Sequence, residues 1–185
     1  LYNFWKEDHW WLTGSDDLPA AAAHAAGDKP VEVAGRDVER AYQELHEAGF
    51  SRGQHLQLVA QLLSFHRRGV GAGVQRFRRM VDLFKERRTR ISSSRYDEVA
   101  ILALTEAGAA GMVEKALALK DRLREKRPRP STGVAFSLAT GLALAGDLSR
   151  RGGSKRTLDL ASISCIQAVI AARQAAAVGA AAAAG

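Results

Sequence analysis

The chain has 185 residues, of which 46% are hydrophobic and 25% charged, fractions that are typical of a folded globular protein and exclude an intrinsically disordered chain. It contains only 4 prolines, which favours long helices over a turn-rich β fold. The formal net charge of +7 is unevenly placed, since residues 1–50 carry a net −6 and residues 51–185 a net +13. A basic body beside an acidic end attracts polyanions or a second copy of the same chain.

The cysteine content and the first residues bear on the cellular compartment. A single cysteine, Cys165, excludes an internal disulfide and a thiolate metal site, so we expect a reducing, cytoplasmic environment. The charged stretch at residues 6–9 interrupts any apolar run, so we expect no signal peptide. Because the chain begins at Leu1 rather than at a methionine, we expect it to be a fragment or a processed product.

The first predicted elements are an aromatic cluster and a capped, alanine-rich helix. We expect Trp5, Trp10 and Trp11 to cap the core, or to be exposed because preceding helices are missing, and the alternative is a platform for a ligand. Asp16 and Asp17 precede the apolar segment at residues 19–26, where an N-cap explains them better than a cation site, because a calcium loop needs alternating oxygen ligands. Trp10, Trp11, Asp16 and Asp17 are the candidate surface for a ligand or partner.

Four amphipathic helices are predicted from apolar residues that recur mainly at i, i+3, i+4 and i+7. After the first of them, Gly49 supplies a left-handed stop that lets Phe50 fold back onto the last turn. The four apolar faces, in chain order, are Val38, Ala41, Tyr42 and Leu45; Val74, Phe77, Val81 and Phe84; Val113, Ala116, Leu117 and Leu123; and Leu160, Ile163 and Ile170.

Segments that are apolar on nearly every face alternate with the amphipathic helices. They begin near Leu18, His55, Tyr96 and Val134, so successive segments start 37, 41 and 38 residues apart. We expect each to be covered by neighbours on all sides, as a helix or, in the competing interpretation, as a buried strand.

Predicted caps favour helices over strands for these segments. Ser94 and Asp97 have the spacing of a capping box before the segment that starts at Tyr96. Ser131 is a predicted N-cap for the segment that starts at Val134.

A step of about 40 residues that holds two helices is typical of an α-solenoid. We therefore predict an all-α fold, an α-solenoid-like stack of about four helical hairpins, with a compact helical bundle as the alternative. The predicted organisation is a helical-repeat domain over residues 1–148, a basic, glycine-containing linker over residues 149–156, and an alanine-rich helix over residues 157–185. We expect that helix to pack on the last repeat and to fray at its end.

The glycine-rich stretch GVGAG at residues 69–73 has the composition of a phosphate loop. A dinucleotide loop follows a strand inside a βαβ unit, whereas a helix is predicted before this stretch and no second βα unit follows it. We therefore interpret residues 66–73 as a flexible turn between helices.

Three further features are interpreted as structural. The five histidines contain no i, i+4 pair beside a carboxylate, so no metal site is predicted. Cys165 has no nearby base and is interpreted as a buried thiol. The apolar run at residues 157–172 is shorter than the ~20 residues that a membrane span needs, so we expect a core helix and no membrane interaction. No cofactor and no catalytic residue are predicted.

Basic side chains are concentrated in two helical regions. Residues 67–90 contain nine arginines and lysines, and residues 120–129 contain six. If these helices line one side of a stack, the charges form a stripe that tracks phosphates. A solvated helix face is the competing interpretation, because arginine is abundant throughout the chain and no aromatic residues interleave with the charges. The candidate polyanion-binding residues are Arg76, Arg79, Lys120 and Arg124.

Three stretches of the sequence carry a resemblance to a known family. They are HWWLTGSDDLPAAAAHAA at residues 9–26, AYQELHEAGFSRGQHLQLVAQLLS at residues 41–64 and RYDEVAILAL at residues 95–104. With the Ala-Gly-Phe turn at Gly49 and Phe50 as its most specific part, this pattern resembles an uncharacterised bacterial group, the domain-of-unknown-function family 4003. The resemblance extends from about residue 9 to about residue 148 and implies neither an activity nor catalytic residues. Members of the family are longer than this chain, so the resemblance implies that it is the C-terminal portion of a member.

The leading functional hypothesis is a non-enzymatic binding or scaffold protein whose helical surface docks a peptide or a partner protein. One alternative is a nucleic-acid binder that uses the basic faces of residues 74–90 and 113–129. A second alternative is an enzyme whose site lies between helices and has a deep pocket with convergent polar groups. The acidic end and basic body also predict head-to-tail self-association into a homo-oligomer.

Overall fold

The structure is a computed structural model that describes residues 30–150. Within this range the chain forms six α-helices, one 3-10 helix and no strand, which confirms the predicted all-α class. The helices are α1 (Val31–Glu47), α2 (Gln54–Leu63), α3 (Val70–Glu86), α4 (Tyr96–Ala103), α5 (Ala109–Arg124) and α6 (Thr132–Arg150), and the 3-10 helix Ser93–Arg95 precedes α4.

The chain divides into two compact units, and the boundary falls inside α1, after Asp37. Residues 38–150 all belong to the second unit. Helix α6 continues through Arg150, so the first two residues of the predicted linker are helical. The remainder of that linker and the predicted helix at residues 157–185 lie outside the described residues.

Helices of the second unit pack on their neighbours in sequence and on the next helix but one. Helix α2 packs on α4, α4 on α6, and α3 on α5, while α3 also packs on α4 and α5 on α6. The amphipathic helices α1, α3 and α5 begin at residues 31, 70 and 109, two equal steps of 39 residues. This arrangement is compatible with a stack of hairpins and with a helical bundle.

Helices α2 and α4 are buried on nearly every face, as their apolar sequences predict. Burial extends to polar side chains, since Gln57 and Gln61 of α2 and Asp97 of α4 are all buried. The competing interpretation of these segments as strands is wrong, because both form helices.

Helix α6 is also predicted to be buried on every face, but one of its faces is exposed. Val134, Leu138 and Leu142 recur every four residues and are 50%, 40% and 49% exposed. Phe136 and Ala139 lie on the buried side of the helix. The expectation that this segment is covered on all sides is therefore wrong for one face, because apolar composition does not reveal whether a neighbouring helix is present.

The predicted apolar face of α1 is confirmed, since Val38, Ala41, Tyr42 and Leu45 are all buried. The helix ends at a Schellman motif, in which the amide of Phe50 donates to the carbonyl oxygen of Leu45 at 3.1 Å and the amide of Gly49 to that of His46 at 2.9 Å. Gly49 has a φ of +92°, the left-handed conformation that this motif requires.

The apolar faces of α3 and α5 are confirmed in part. In α3, Val74, Phe77 and Phe84 are buried, but Val81 is only half-buried and its place in the core is taken by Met80 and Leu83. The buried side of α3 is thus rotated from the predicted one, because it packs against both α4 and α5.

In α5, Val113 and Ala116 are buried as predicted, together with Met112. Leu117 and Leu123 are half-buried, so the C-terminal half of this helix is only partly covered.

Aromatic side chains link helices that are distant in sequence. The rings of Phe50, Phe77 and Tyr96 contact one another, with centroids 5.2 to 5.9 Å apart. The rings of Phe84 on α3 and Phe136 on α6 lie 5.5 Å apart in an edge-on arrangement. Such pairs stabilise the core beyond the area that they bury.

One predicted cap is confirmed and the other is wrong. The amide of Val134 donates to Oγ of Ser131 at 3.2 Å, which is the N-cap expected for α6. Helix α4 instead has Arg95 at its N-cap position and no side-chain cap bond, because the residues before it form a 3-10 turn that displaces Ser94 from the capping position.

Candidate functional site

A cleft of about 680 Å³ opens where two turns of the chain meet. One turn connects α2 to α3, and the other follows the end of α4. Because α2 packs on α4, the residues that leave these two helices are brought together. The lining residues are His66, Arg67, Arg68, Ala72, Gln75, Arg76, Leu104, Thr105 and Glu106.

A close approach between α3 and the end of α2 shapes one wall of the cleft. A Cβ atom at Gly73 would lie 2.9 Å from Cβ of His66 and 3.2 Å from the carbonyl oxygen of Leu63, so glycine is required there. Residues 66–69 form the turn and residues 70–73 the first turn of α3. The predicted turn between helices is therefore confirmed for residues 66–69, but it is wrong for residues 70–73, which form the first turn of α3.

Arg76 fixes a positive charge in the wall of the cleft. Its Nη2 atom donates to Oγ1 of Thr105 at 3.3 Å and to the carbonyl oxygen of Ala107. Oγ1 of Thr105 donates in turn to the carbonyl oxygen of Leu102 at 2.8 Å, so it is free to accept from the arginine. These bonds tie α3 to the turn after α4 and hold the half-buried guanidinium in place.

An ion pair crosses the mouth of the cleft. Nη1 of Arg67 lies 2.5 Å from Oε1 of Glu106, and the two side chains are 55% and 53% exposed. Arg68, the next residue along the turn, is also exposed and lines the same mouth. Three arginines therefore face one carboxylate, which leaves the cleft with an excess of positive charge.

His66 adds no charge to the cleft near neutral pH. Burial lowers the pKa of His66 below its ordinary value of 6.5, and the charges of Arg76 and Arg68 lower it further, against a hydrogen bond with the backbone of Gly69 that raises it. The neutral imidazole is consistent with Nδ1 accepting the amide hydrogen of Arg68 at 3.3 Å.

The two candidate polyanion-binding residues on α3 lie apart. Arg76 lines the cleft, whereas Nη1 of Arg79, one turn further along, lies 3.0 Å from Oε1 of Glu86 in an exposed ion pair. The structure thus brings Arg76 together with Arg67 and Arg68 rather than with Arg79.

The two candidates on α5 contact neighbouring residues away from the cleft. The side chain of Lys120 is only 15% exposed, and its Nζ atom lies 3.6 Å from Oδ1 of Asp121. Nη1 of Arg124 donates to Oγ1 of Thr132, at the start of α6. Neither residue lines the cleft that contains Arg76.

The other candidate residues, Trp10, Trp11, Asp16 and Asp17, lie outside the described residues, as do Trp5 and Cys165. Among residues 30–150, no group of three or more histidine, cysteine or acidic side chains is arranged to hold a metal ion. None of the helices in the described range has the length and apolar character needed to cross a bilayer.

Sequence reasoning missed His66, Arg67, Arg68 and Glu106 as members of one site. A signal was present, because Arg67 and Glu106 are 39 residues apart, the same step that separates the starts of α3 and α5. In a stack of hairpins, equivalent turns of successive hairpins are neighbours, so basic and acidic residues at this spacing would point to a contact if the predicted stack is correct.

Comparison with known protein families identifies a match. The family model described as "Protein of unknown function (DUF4003)" matches residues 1–175, a longer stretch than the resemblance in residues 9–148 indicated. No curated protein and no solved structure matches the chain. Since the family model covers nearly all of the sequence, the chain belongs to the DUF4003 family.

Proposed function

We propose that this protein is a non-enzymatic helical-repeat module that docks a partner protein or peptide. The observation that carries the proposal is the arginine-lined cleft between the turn after α2 and the turn after α4. Its volume of about 680 Å³ is that of a site for a few side chains, and arginine is enriched at the centres of protein interfaces.

The cleft is suited to binding because its charges are held by the fold. Arg76 is fixed by the turn after α4, so little side-chain entropy is lost when a ligand contacts it. Arg67 and Arg68 lie on a short turn anchored by the close approach of α3 to His66. A preformed, basic concavity of this kind favours association with a partner that presents negative charge.

A capture experiment with matched variants tests the docking function. The protein is immobilised and exposed to a native bacterial lysate, and bound proteins are identified by mass spectrometry. We expect Arg68→Glu, which reverses a charge in the cleft, to lose partners that the unchanged protein retains. Arg78→Glu is the matched control, because Arg78 is exposed on α3 outside the cleft.

The result is interpreted by comparing the two variants. Partners retained by Arg78→Glu and lost by Arg68→Glu support docking at the cleft. Capture of the same proteins by both variants, or of none by the unchanged protein, contradicts it.

Nucleic-acid binding is the second candidate function, and the net charge of +13 over residues 51–185 favours it. Exposed ion pairs interrupt the basic faces, since Arg79 pairs with Glu86 and Arg87 with Glu114. A mobility-shift assay with duplex DNA and single-stranded RNA tests this function, and affinity should fall steeply from low to moderate salt. Absence of a shift at low salt contradicts it, and charge reversal at Arg76, Arg79, Lys120 and Arg124 tests the stripe itself.

Catalysis is the third candidate. His66, whose pKa is lowered, could serve as a base in the cleft. The neighbouring hydroxyl of Thr105, however, donates its hydrogen to the carbonyl oxygen of Leu102 and is buried, which does not suit a nucleophile. Binding therefore has better support than catalysis at this site.

A further inference from the structure

We propose that the cleft binds the carboxylates of an acidic peptide segment, with Arg68 and Arg76 as the binding residues and Glu106 as an internal competitor for Arg67. This inference rests on the proposed docking function and adds the chemical class of the partner. The partner is an aspartate- or glutamate-rich segment of another protein.

The arginines of the cleft lie where they can bind more than one carboxylate. Arg67 and Arg68 extend from the turn before α3, and Arg76 lies on α3 itself, so positive charge lines both the mouth and the wall. Arginine presents its donors in a planar fork that matches the two oxygens of a carboxylate. Nη2 of Arg76 already donates to Thr105 and Ala107, so Arg76 contributes mainly its fixed positive charge. With His66 neutral, Glu106 offsets one of three positive charges, which leaves room for one or two added negative charges.

Glu106 indicates what kind of anion the cleft accepts. Its carboxylate already lies 2.5 Å from Nη1 of Arg67, and both side chains remain more than half exposed. An exposed ion pair of this kind is weakly held, so a carboxylate from a partner exchanges with it readily. The resident pair therefore shows the geometry of the bound state and lowers the affinity for an added ligand.

The same carboxylate repels negative charge that is concentrated at one point. A phosphate group brings nearly two negative charges to one point beside Glu106, whereas the carboxylates of an acidic peptide place the same total charge on separate arginines. Ala72 and Leu104 add apolar atoms to the lining, which suit the aliphatic part of a glutamate side chain.

Fluorescence anisotropy with defined peptides tests this inference on the full chain. The probe is a fluorescein-labelled ten-residue peptide of alternating glutamate and serine, and the competing probes replace glutamate with glutamine or serine with phosphoserine. We expect the glutamate peptide to bind, the glutamine peptide not to bind, and the phosphorylated peptide to bind no more tightly than its unphosphorylated counterpart.

Three substitutions locate the site. Arg68→Gln should weaken binding of the glutamate peptide by about fivefold, because one charged pair is lost. Glu106→Gln should strengthen binding by about threefold, because Arg67 is released to the ligand. Arg78→Gln, on the exposed face of α3, should change affinity by less than about twofold. Circular dichroism confirms that each variant is folded.

Several results would overturn the inference. Tighter binding of the phosphorylated peptide would assign the cleft to phosphate. Equal losses of affinity in Arg68→Gln and Arg78→Gln would show that binding depends on diffuse positive charge. An unchanged affinity in Glu106→Gln would show that Glu106 does not compete with the ligand for Arg67. If the glutamate peptide fails to bind while capture of a partner still depends on Arg68, the docking function stands and the acidic partner class is wrong.

Discussion

At the scale of single residues, the fold changes the chemistry of His66 in the cleft. It faces Arg67 and Arg68 from its own turn, Arg76 from α3 and Glu106 from the turn after α4. Burial is the largest cause of its lowered pKa, followed by the charge of Arg76. The folded state therefore favours the neutral imidazole, and protonation opposes folding.

We expect His66→Gln to reduce the pH dependence of stability. In the pH range between the lowered pKa and 6.5, the unfolded chain binds a proton at this site more readily than the folded chain does. The stability of the unchanged protein should therefore fall as pH drops below 6.5, and rise as pH increases through the same range. Urea unfolding followed by circular dichroism at pH 7.5 and pH 5.5 measures the difference for both proteins.

The remaining histidines are present in both proteins and cancel in the comparison. An unchanged loss of stability on acidification in His66→Gln would show that His66 does not contribute to it. A smaller loss in the variant is the expected result.

At the scale of helices and turns, the end of α1 is determined by a few residues. The Schellman motif places Gly49 at φ +92° and Phe50 against the rings of Phe77 and Tyr96. The glycine thus directs an aromatic side chain into the core, and the cost of replacing it extends beyond the turn.

We expect Gly49→Ala to lower the free energy of unfolding by about 1 kcal/mol or more, because alanine is strained at positive φ. Gly141→Ala is the matched control, since Gly141 lies in the middle of α6 with nothing within 4 Å of the added Cβ. The control should raise stability by about 0.5 to 1 kcal/mol through helix propensity. Chemical denaturation measures both changes, and a stabilising Gly49→Ala would contradict the assigned motif.

The helices show how far the sequence determines the fold. The face of α1 and the burial of α2 and α4 follow from residue periodicity and composition, which are local properties. The exposure of Val134, Leu138 and Leu142 on α6 does not follow from such local properties. The same apolar composition occurs in helices with and without a neighbour that covers them. Burial of a given side chain depends on tertiary contacts that no local pattern contains.

The cleft was harder to predict for the same reason. Arg76 could be selected from the charge run along its helix, but its partners come from two turns that are distant in sequence. The 39-residue spacing of Arg67 and Glu106 is a sequence signal, but it becomes a predicted contact only when α2 is known to pack on α4. The density of basic residues along the sequence instead places Arg76 in one candidate polyanion-binding site with Arg79, Lys120 and Arg124. In the structure these three residues contact Glu86, Asp121 and Thr132 and do not line the cleft.

At the scale of the second unit, apolar contacts and ion pairs both join helices that are distant in sequence. The pair Phe84 and Phe136 connects α3 to α6 in the buried core. The pair Arg87 and Glu114 connects the end of α3 to α5, with Nη2 and Oε1 2.7 Å apart and side chains 46% and 56% exposed. Because water screens exposed charges, the apolar contacts should dominate stability.

A double-mutant cycle separates the two contributions. We expect Arg87→Ala and Glu114→Ala, made singly and together, to give a coupling energy of about 0.2 to 1 kcal/mol, which falls further at high salt. Phe84→Ala should lower the free energy of unfolding by about 3 to 5 kcal/mol, because it leaves a cavity in the core beside Phe136. Urea denaturation at low and high sodium chloride measures all four variants. A coupling energy above about 2 kcal/mol would show that the ion pair is held more rigidly than its exposure indicates, and that charged contacts between α3 and α5 contribute substantially to the stability of the unit.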